Sequence, residues 1–185
     1  MRHSHGFTLI ECITAIAILA IICSIAAPSY SALLKSIEAR STIFTLQQLI
    51  HASRNDALNS HKALTICGSG DSLHCDGNWT IGVLILEDAN RNGIAEGNDR
   101  ILKFIELQLK QATLTWQGFG GSRVTVESLG TAFASNGTFT YCRNDSDPLY
   151  SRQVIVSRGG RARLSRDTNG DGIHESSQGD AIACP

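Results

Sequence analysis

Apolar and polar positions divide this chain into three stretches. From Phe7 to Ala27 run 21 mostly apolar residues interrupted by a single charge, Glu11. As a helix, that length reaches across a hydrocarbon core of ~30 Å, which predicts a membrane span. From Pro28 onward the greasiness breaks up. Ile37, Ile43, Phe44, Leu46, Ile50, Ala57 and Leu58 recur at spacings that can line one side of a helix. Glu38, Arg40, Gln47, Arg54 and Asp56 fall mostly between them. No glycine lies between Phe7 and His61, so one long helix is expected, kinked or loosened at Pro28. After Lys62 the pattern changes to short β-like runs punctuated by glycine and asparagine. The expected strands are Ala63–Cys67, Trp79–Leu86, Arg100–Ile105, Ala112–Trp116, Arg123–Glu127, Thr138–Cys142, Gln153–Ser157 and Arg161–Ser165. Asn136-Gly137 and Gly159-Gly160 are both two-residue hairpin signals. Antiparallel strands packed against one long helix make an α+β subunit.

The order of features at the N-terminus carries the next inference. A secretory signal would be cut after its apolar run, next to small residues. Here the candidate processing point, Gly6–Phe7, lies in front of the run. The motif Gly6-Phe7-Thr8-Leu9-Ile10-Glu11 resembles the prepilin peptidase site of type IV pilins and type II secretion pseudopilins. The resemblance implies cleavage after Gly6, N-methylation of Phe7, and a mature chain that keeps its membrane helix. It also implies that Glu11 pairs with the N-terminal amine of a neighbouring subunit. A carboxylate near the start of a membrane helix costs roughly 2.5–3.5 kcal/mol, so a charge that only assembly neutralises would set the axial register. The plainer alternative is an acid that snorkels to the interface. Arg2, with His3 and His5 when protonated, gives the leader a positive charge and predicts a cytoplasmic leader with an exported C-terminal bulk. The organisation read from this is residues 1–6 leader, 7–27 membrane half of the helix, 28–61 amphipathic half and 62–185 β-rich domain. The expected location is the inner membrane, single-pass with a periplasmic domain, and then the pilus.

Net charge is −1 and aromatic content 6%, so composition names no partner. Of the six cysteines, Cys12 and Cys23 lie in the membrane stretch, where a thiol behaves as a small hydrophobe. Cys67, Cys75, Cys142 and Cys184 lie in the exported, oxidising part and allow three connectivities. Cys67–Cys75, closing a short Gly/Ser/Asp loop, and Cys142–Cys184, pinning the tail to a strand, are favoured. A metal on Cys67, His74 and Cys75 would lack a fourth ligand. No nucleophile elbow, phosphate-binding glycine loop or metal-ligating histidine pair occurs, so neither catalysis nor a cofactor is expected.

The exported part also resembles the FimT/FimU and GspH group of minor pilins and pseudopilins. The residues that carry this are Leu64-Thr65-Ile66-Cys67 with a second cysteine soon after, Trp79, Gly82, and Asp88-Ala89-Asn90-Arg91-Asn92-Gly93. Thr138-Phe139-Thr140-Tyr141-Cys142 and Ile155-Val156-Ser157-Arg158 complete it, while Leu107–Ser135 matches least. From Arg143 to Arg166 there are six arginines against two acids, Asp145 and Asp147. A two-residue turn at Gly159-Gly160 would set Arg158 opposite Arg161, with Arg163 ~6.6 Å along on the same face. Ile155, Ala162 and Leu164 would then face the core. Arginines so spaced suit successive phosphates, which they hold bidentately. Gly160-Arg161-Ala162-Arg163 matches the GRxR motif of FimT-type minor pilins, which implies binding of double-stranded DNA in natural transformation. Arg143, Arg152 and Arg166 are further candidates whose orientation the sequence leaves open. The bland alternative is a solvated charged turn, with Arg143 paired to Asp145 or Arg166 to Asp167.

Two acidic turns, Asp88–Gly93 and Asp167–Gly172, look like openings of calcium loops. The second, with Asp167, Asn169 and Asp171, carries more charge but has Gln178 at the twelfth position. The first has Asp99 there but only amides at its third and fifth positions. Such clusters more often simply make turns. Acids between Asp167 and Asp180 would also repel DNA and confine it to the arginine tip. The expected partners are therefore DNA, other pilins, prepilin peptidase and the inner membrane. A pilus-assembly role without DNA, or a type II secretion pseudopilin, are the alternative readings.

Overall fold

The computed structural model describes residues 8–97 and 99–184. The processing point at Gly6 and Phe7 lies outside them. One helix, α1 (Leu9–Ser60), remains helical at every position through Pro28. The chain divides into two compact units between Glu38 and Ala39.

In the first unit, the apolar side chains from Leu9 to Ile37 stand exposed, as a helix of membrane length and composition would leave them. Thr8 caps α1. Its N–H and its hydroxyl both donate to Glu11 Oε2, at 2.8 and 2.7 Å. Glu11 N–H points back at Thr8 Oγ1 (3.4 Å), so the capping threonine and the acid three residues on satisfy each other's orphaned backbone donors.

In the second unit, Ala39, Thr42, Ile43, Leu46, Leu49, Ile50, Ser53 and Ala57 form the buried stripe of α1. Their three- and four-residue steps are those of one helix face. Ile37 and Phe44, which the pattern places on that face, are 52% and 55% exposed, because each stands two residues before a buried member, Ala39 or Leu46, and so ~200° around the helix. His61, in a left-handed conformation (φ 56°), ends the helix.

Among the described residues eight strands follow, each overlapping an expected segment with ends shifted by up to three residues: β1 (Leu64–Gly68), β2 (Gly82–Glu87), β3 (Arg100–Glu106), β4 (Ala112–Gly118), β5 (Arg123–Val126), β6 (Gly137–Arg143), β7 (Arg152–Val156) and β8 (Ala162–Leu164). They form two four-stranded antiparallel sheets, in the orders β3-β2-β1-β5 and β4-β6-β7-β8. Both sheets share one core with the buried stripe of α1. In it Phe139 meets Trp79 edge-on (4.7 Å) and Trp116 (4.4 Å). Trp79–Ile81 is a turn and not the start of β2, since the Ile81 carbonyl accepts the N–H groups of Leu107 and Gln108. Asn136-Gly137 is no hairpin either. Gly137 is the first residue of β6, a central strand, and pairs with Gly118 of β4 and Val156 of β7.

Cys67 is bonded to Cys75, and Cys142 to Cys184. The tail that carries Cys184 is further seated by buried Ile182, whose N–H donates to the His174 carbonyl at 3.1 Å.

Candidate nucleic-acid interface

The β7–β8 connection is longer than a two-residue turn. Ser157 N–H donates to the Arg161 carbonyl and Gly160 N–H to the Ser157 carbonyl, both at 2.9 Å. This is a three-residue loop closed by a bulge whose last residue must take positive φ, and Gly160 does so at 70°. Ser157, not Arg158, therefore stands opposite Arg161; Arg158 lies within the turn.

The register also corrects the faces. Val154 pairs with Leu164 and Val156 with Ala162, and Val154, Val156 and Ala162 are buried. Ile155 pairs with Arg163 and shares its outer face. Because strands alternate, Arg161 and Arg163 point outward on either side of buried Ala162, and both are exposed. Among the described residues neither has an ion-pair partner.

The remaining candidates separate. Arg152 is 4% exposed, and its guanidinium donates to the Leu149 and Ser151 carbonyls at 2.8 Å each. Burial and nearby Arg40 weigh against its charge. Arg143 is also buried, beside Asp145 at 3.5 Å. Neither reaches the surface that a phosphate could approach. Arg166 is exposed and lines, with Gln47, Arg163 and the β8 backbone, an open groove along the sheet edge.

A second turn underlies the first. Gly130 N–H donates to the Glu127 carbonyl (2.7 Å) and Glu127 N–H to the Thr131 carbonyl (2.8 Å), with Gly130 at φ 70°. The two turns have the same form and lie against each other: a Cβ on Gly160 would sit 2.2 Å from the Gly130 oxygen. Ala132 N–H donates to the Arg158 carbonyl at 2.9 Å. Helix side chains hold both turns. Arg54 Nε donates to the Gly130 carbonyl (2.9 Å), and Gln47 Nε2 and His51 Nε2 reach the Ala162 carbonyl (3.1 Å each). The glycine of the GRxR motif is thus a packing requirement. The underlying loop falls where the family resemblance is weakest, and only Gly130 signals it.

Arg158 lies over the ring of Phe133, 5.4 Å from its centroid. Phe133, which no motif or periodicity in the sequence marks, is 68% exposed.

Of the acidic turns, Asp167 accepts the N–H groups of Gly170 (2.7 Å) and Gly172 (2.9 Å), which hold its carboxyl below the ordinary range. Asp167 and Asp171 gather with Glu175, not with Gln178; Asn169 bonds Asp171. Asp88 likewise accepts from Asn92 and Gly93 N–H groups (3.1 and 2.9 Å), closing its own turn.

Residues 44–160 match the family model described as Type II transport protein GspH, and residues 1–27 match the prokaryotic N-terminal methylation motif. The fold is similar to that of the type IV minor pilin FimU of Pseudomonas aeruginosa, with a TM-score of 0.55 and 20% identity over 70% of this chain and 89% of that one. It is also similar to the minor pseudopilin EpsH of the Vibrio cholerae type 2 secretion system, at a TM-score of 0.50 and 17% identity over 69% of this chain and 95% of that one. At such identities the likeness is one of fold. No curated protein matches the sequence significantly.

Proposed function

The chain belongs to the GspH family of minor pilins and pseudopilins, and from that premise we propose that it is a minor type IV pilin that binds double-stranded DNA for uptake in natural transformation. The observation that carries the reading is the pair Arg161 and Arg163, exposed side by side on a hairpin braced from beneath. Their guanidinium groups are available to phosphates, and nothing around them offers base readout, so binding is indifferent to sequence. A lone subunit binds weakly, on the order of 10⁻⁴–10⁻⁶ M, and the pilus adds avidity.

The rest of the life cycle is part of the same proposal. Prepilin peptidase cuts at Gly6–Phe7, Phe7 is methylated, and the apolar helix holds the subunit in the inner membrane with its domain in the periplasm. On assembly the Glu11 carboxylate exchanges its Thr8 partner for the amine of a neighbouring pilin.

The test is a mobility shift with the full chain in detergent. Arg161→Gln and Arg163→Gln should each weaken the shift and lower the slope of log K against log salt by about one. A wild-type chain that shifts no DNA at low salt would leave the second reading, a type II secretion pseudopilin, which the description of the matching family model favours.

A further inference from the structure

We propose that the arginine tip also takes an unpaired base, stacked on Phe133, so that its preferred ligand is DNA with a single-stranded end. This rests on the DNA reading above and adds a ligand class to it. Phe133 stands one residue beyond Ala132, which is fully buried and tied through its N–H to the Arg158 carbonyl (2.9 Å). Ser135 N–H donates back to the Ala132 carbonyl (3.0 Å), so Phe133 occupies the outer corner of a closed turn. The ring is held out by its backbone, and 68% of the residue remains in water.

An exposed phenylalanine alone would suit any apolar partner. Its surroundings narrow the choice. The Arg158 guanidinium lies 5.4 Å from the ring centroid, and the same loop carries Arg161 three residues on, next to Arg163. A flat ring with one cation over it, on a tip that also carries exposed Arg161 and Arg163, is complementary to a flat base joined to phosphates. Aromatic stacking with a cation at hand is how sequence-indifferent proteins hold single strands. In a blunt duplex the bases are already stacked on one another, and Phe133 has nothing to receive. An unpaired end offers a base face without the work of opening a pair.

The experiment compares three probes carrying equal numbers of phosphates, using the full chain in detergent: a blunt duplex, a duplex with a short overhang, and a single strand. The overhang carries 2-aminopurine, whose fluorescence falls when it stacks. The overhang duplex is expected to bind about tenfold tighter than the blunt one, with quenching. Phe133→Ala should abolish both the preference and the quenching and leave blunt-duplex binding as it was, while Phe133→Trp keeps both. Thermal unfolding of the Ala variant should match wild type, since the ring is mostly in water. Equal wild-type affinity for blunt and overhang probes would overturn the inference, as would a Phe133→Ala variant that keeps the preference. A variant that binds every probe normally but fails to enter pili would mark Phe133 as a pilin contact instead, and would equally overturn it. Failure of all three probes to bind wild type is a different result: it removes the DNA reading itself.

Discussion

At the scale of single residues, the site depends on what has no side chain as much as on the arginines. Gly160 combines a φ of 70° with a neighbouring carbonyl oxygen 2.2 Å from where a Cβ would be. Gly160→Ala should therefore strain the tip by about 1–3 kcal/mol. It should weaken DNA binding without removing a charge, read by thermal unfolding and mobility shift on one preparation. Arg152 illustrates the converse. It looks like a member of the basic cluster, yet its hydrogen bonds run inward to the Leu149 and Ser151 carbonyls. Arg152→Gln should lower stability by about 2 kcal/mol, seen as a lower denaturation midpoint, while the salt slope of DNA binding stays unchanged. Nothing in the order of residues distinguishes Arg152 from Arg163. One lies on the inward face of its strand and the other on the outward face, and the pairing of β7 with β8 assigns those faces.

At the scale of elements, local pattern served well where chain periodicity alone determines the outcome. The apolar run, the glycine-free helix and every strand segment were legible, because side-chain spacing reports which faces are buried. Turns were less so. Gly159-Gly160 reads as a two-residue hairpin, yet the bulge that closes it follows from Gly160 seating on Gly130, thirty positions away in the sequence. The disulfides brace elements differently. Cys67–Cys75 spans 8 residues and ties β1 to the loop that follows it, whereas Cys142–Cys184 spans 42 and ties the tail to β6. On the chain-entropy model, replacing Cys142 and Cys184 by serine should cost about 4 kcal/mol and replacing Cys67 and Cys75 about 2.5, a ranking that denaturant titration of the two variants checks.

At the scale of the whole molecule, its ionisable groups should make it less stable in acid. His174, half-buried beside Arg152 with Nδ1 3.0 Å from Ser165 Oγ, titrates below its ordinary value, chiefly through burial and then through the arginine's charge. A lowered native pKa means that the unfolded chain binds more protons, so this stability is complete above about 6.5 and drains away as pH falls through the native value. Glu87, held down by Lys62 (2.7 Å) and Arg100 (2.9 Å), acts in the same sense at lower pH, below its ordinary 4.5. His174→Gln should flatten the fall of melting temperature just below pH 6.5 and leave the steeper loss below pH 4.5 in place. The amino-acid sequence by itself determined the long apolar helix, the pilin-like architecture and the location of the basic segment, because hydrophobic period and short motifs act over neighbouring residues. Tertiary structure alone decided which arginines meet solvent, that Phe133 lies under Arg158, and why a side chain on Gly160 would strain the turn. Those properties belong to contacts between α1, the Glu127–Thr131 turn and the β7–β8 hairpin, and they exist only once distant parts of the chain are packed together.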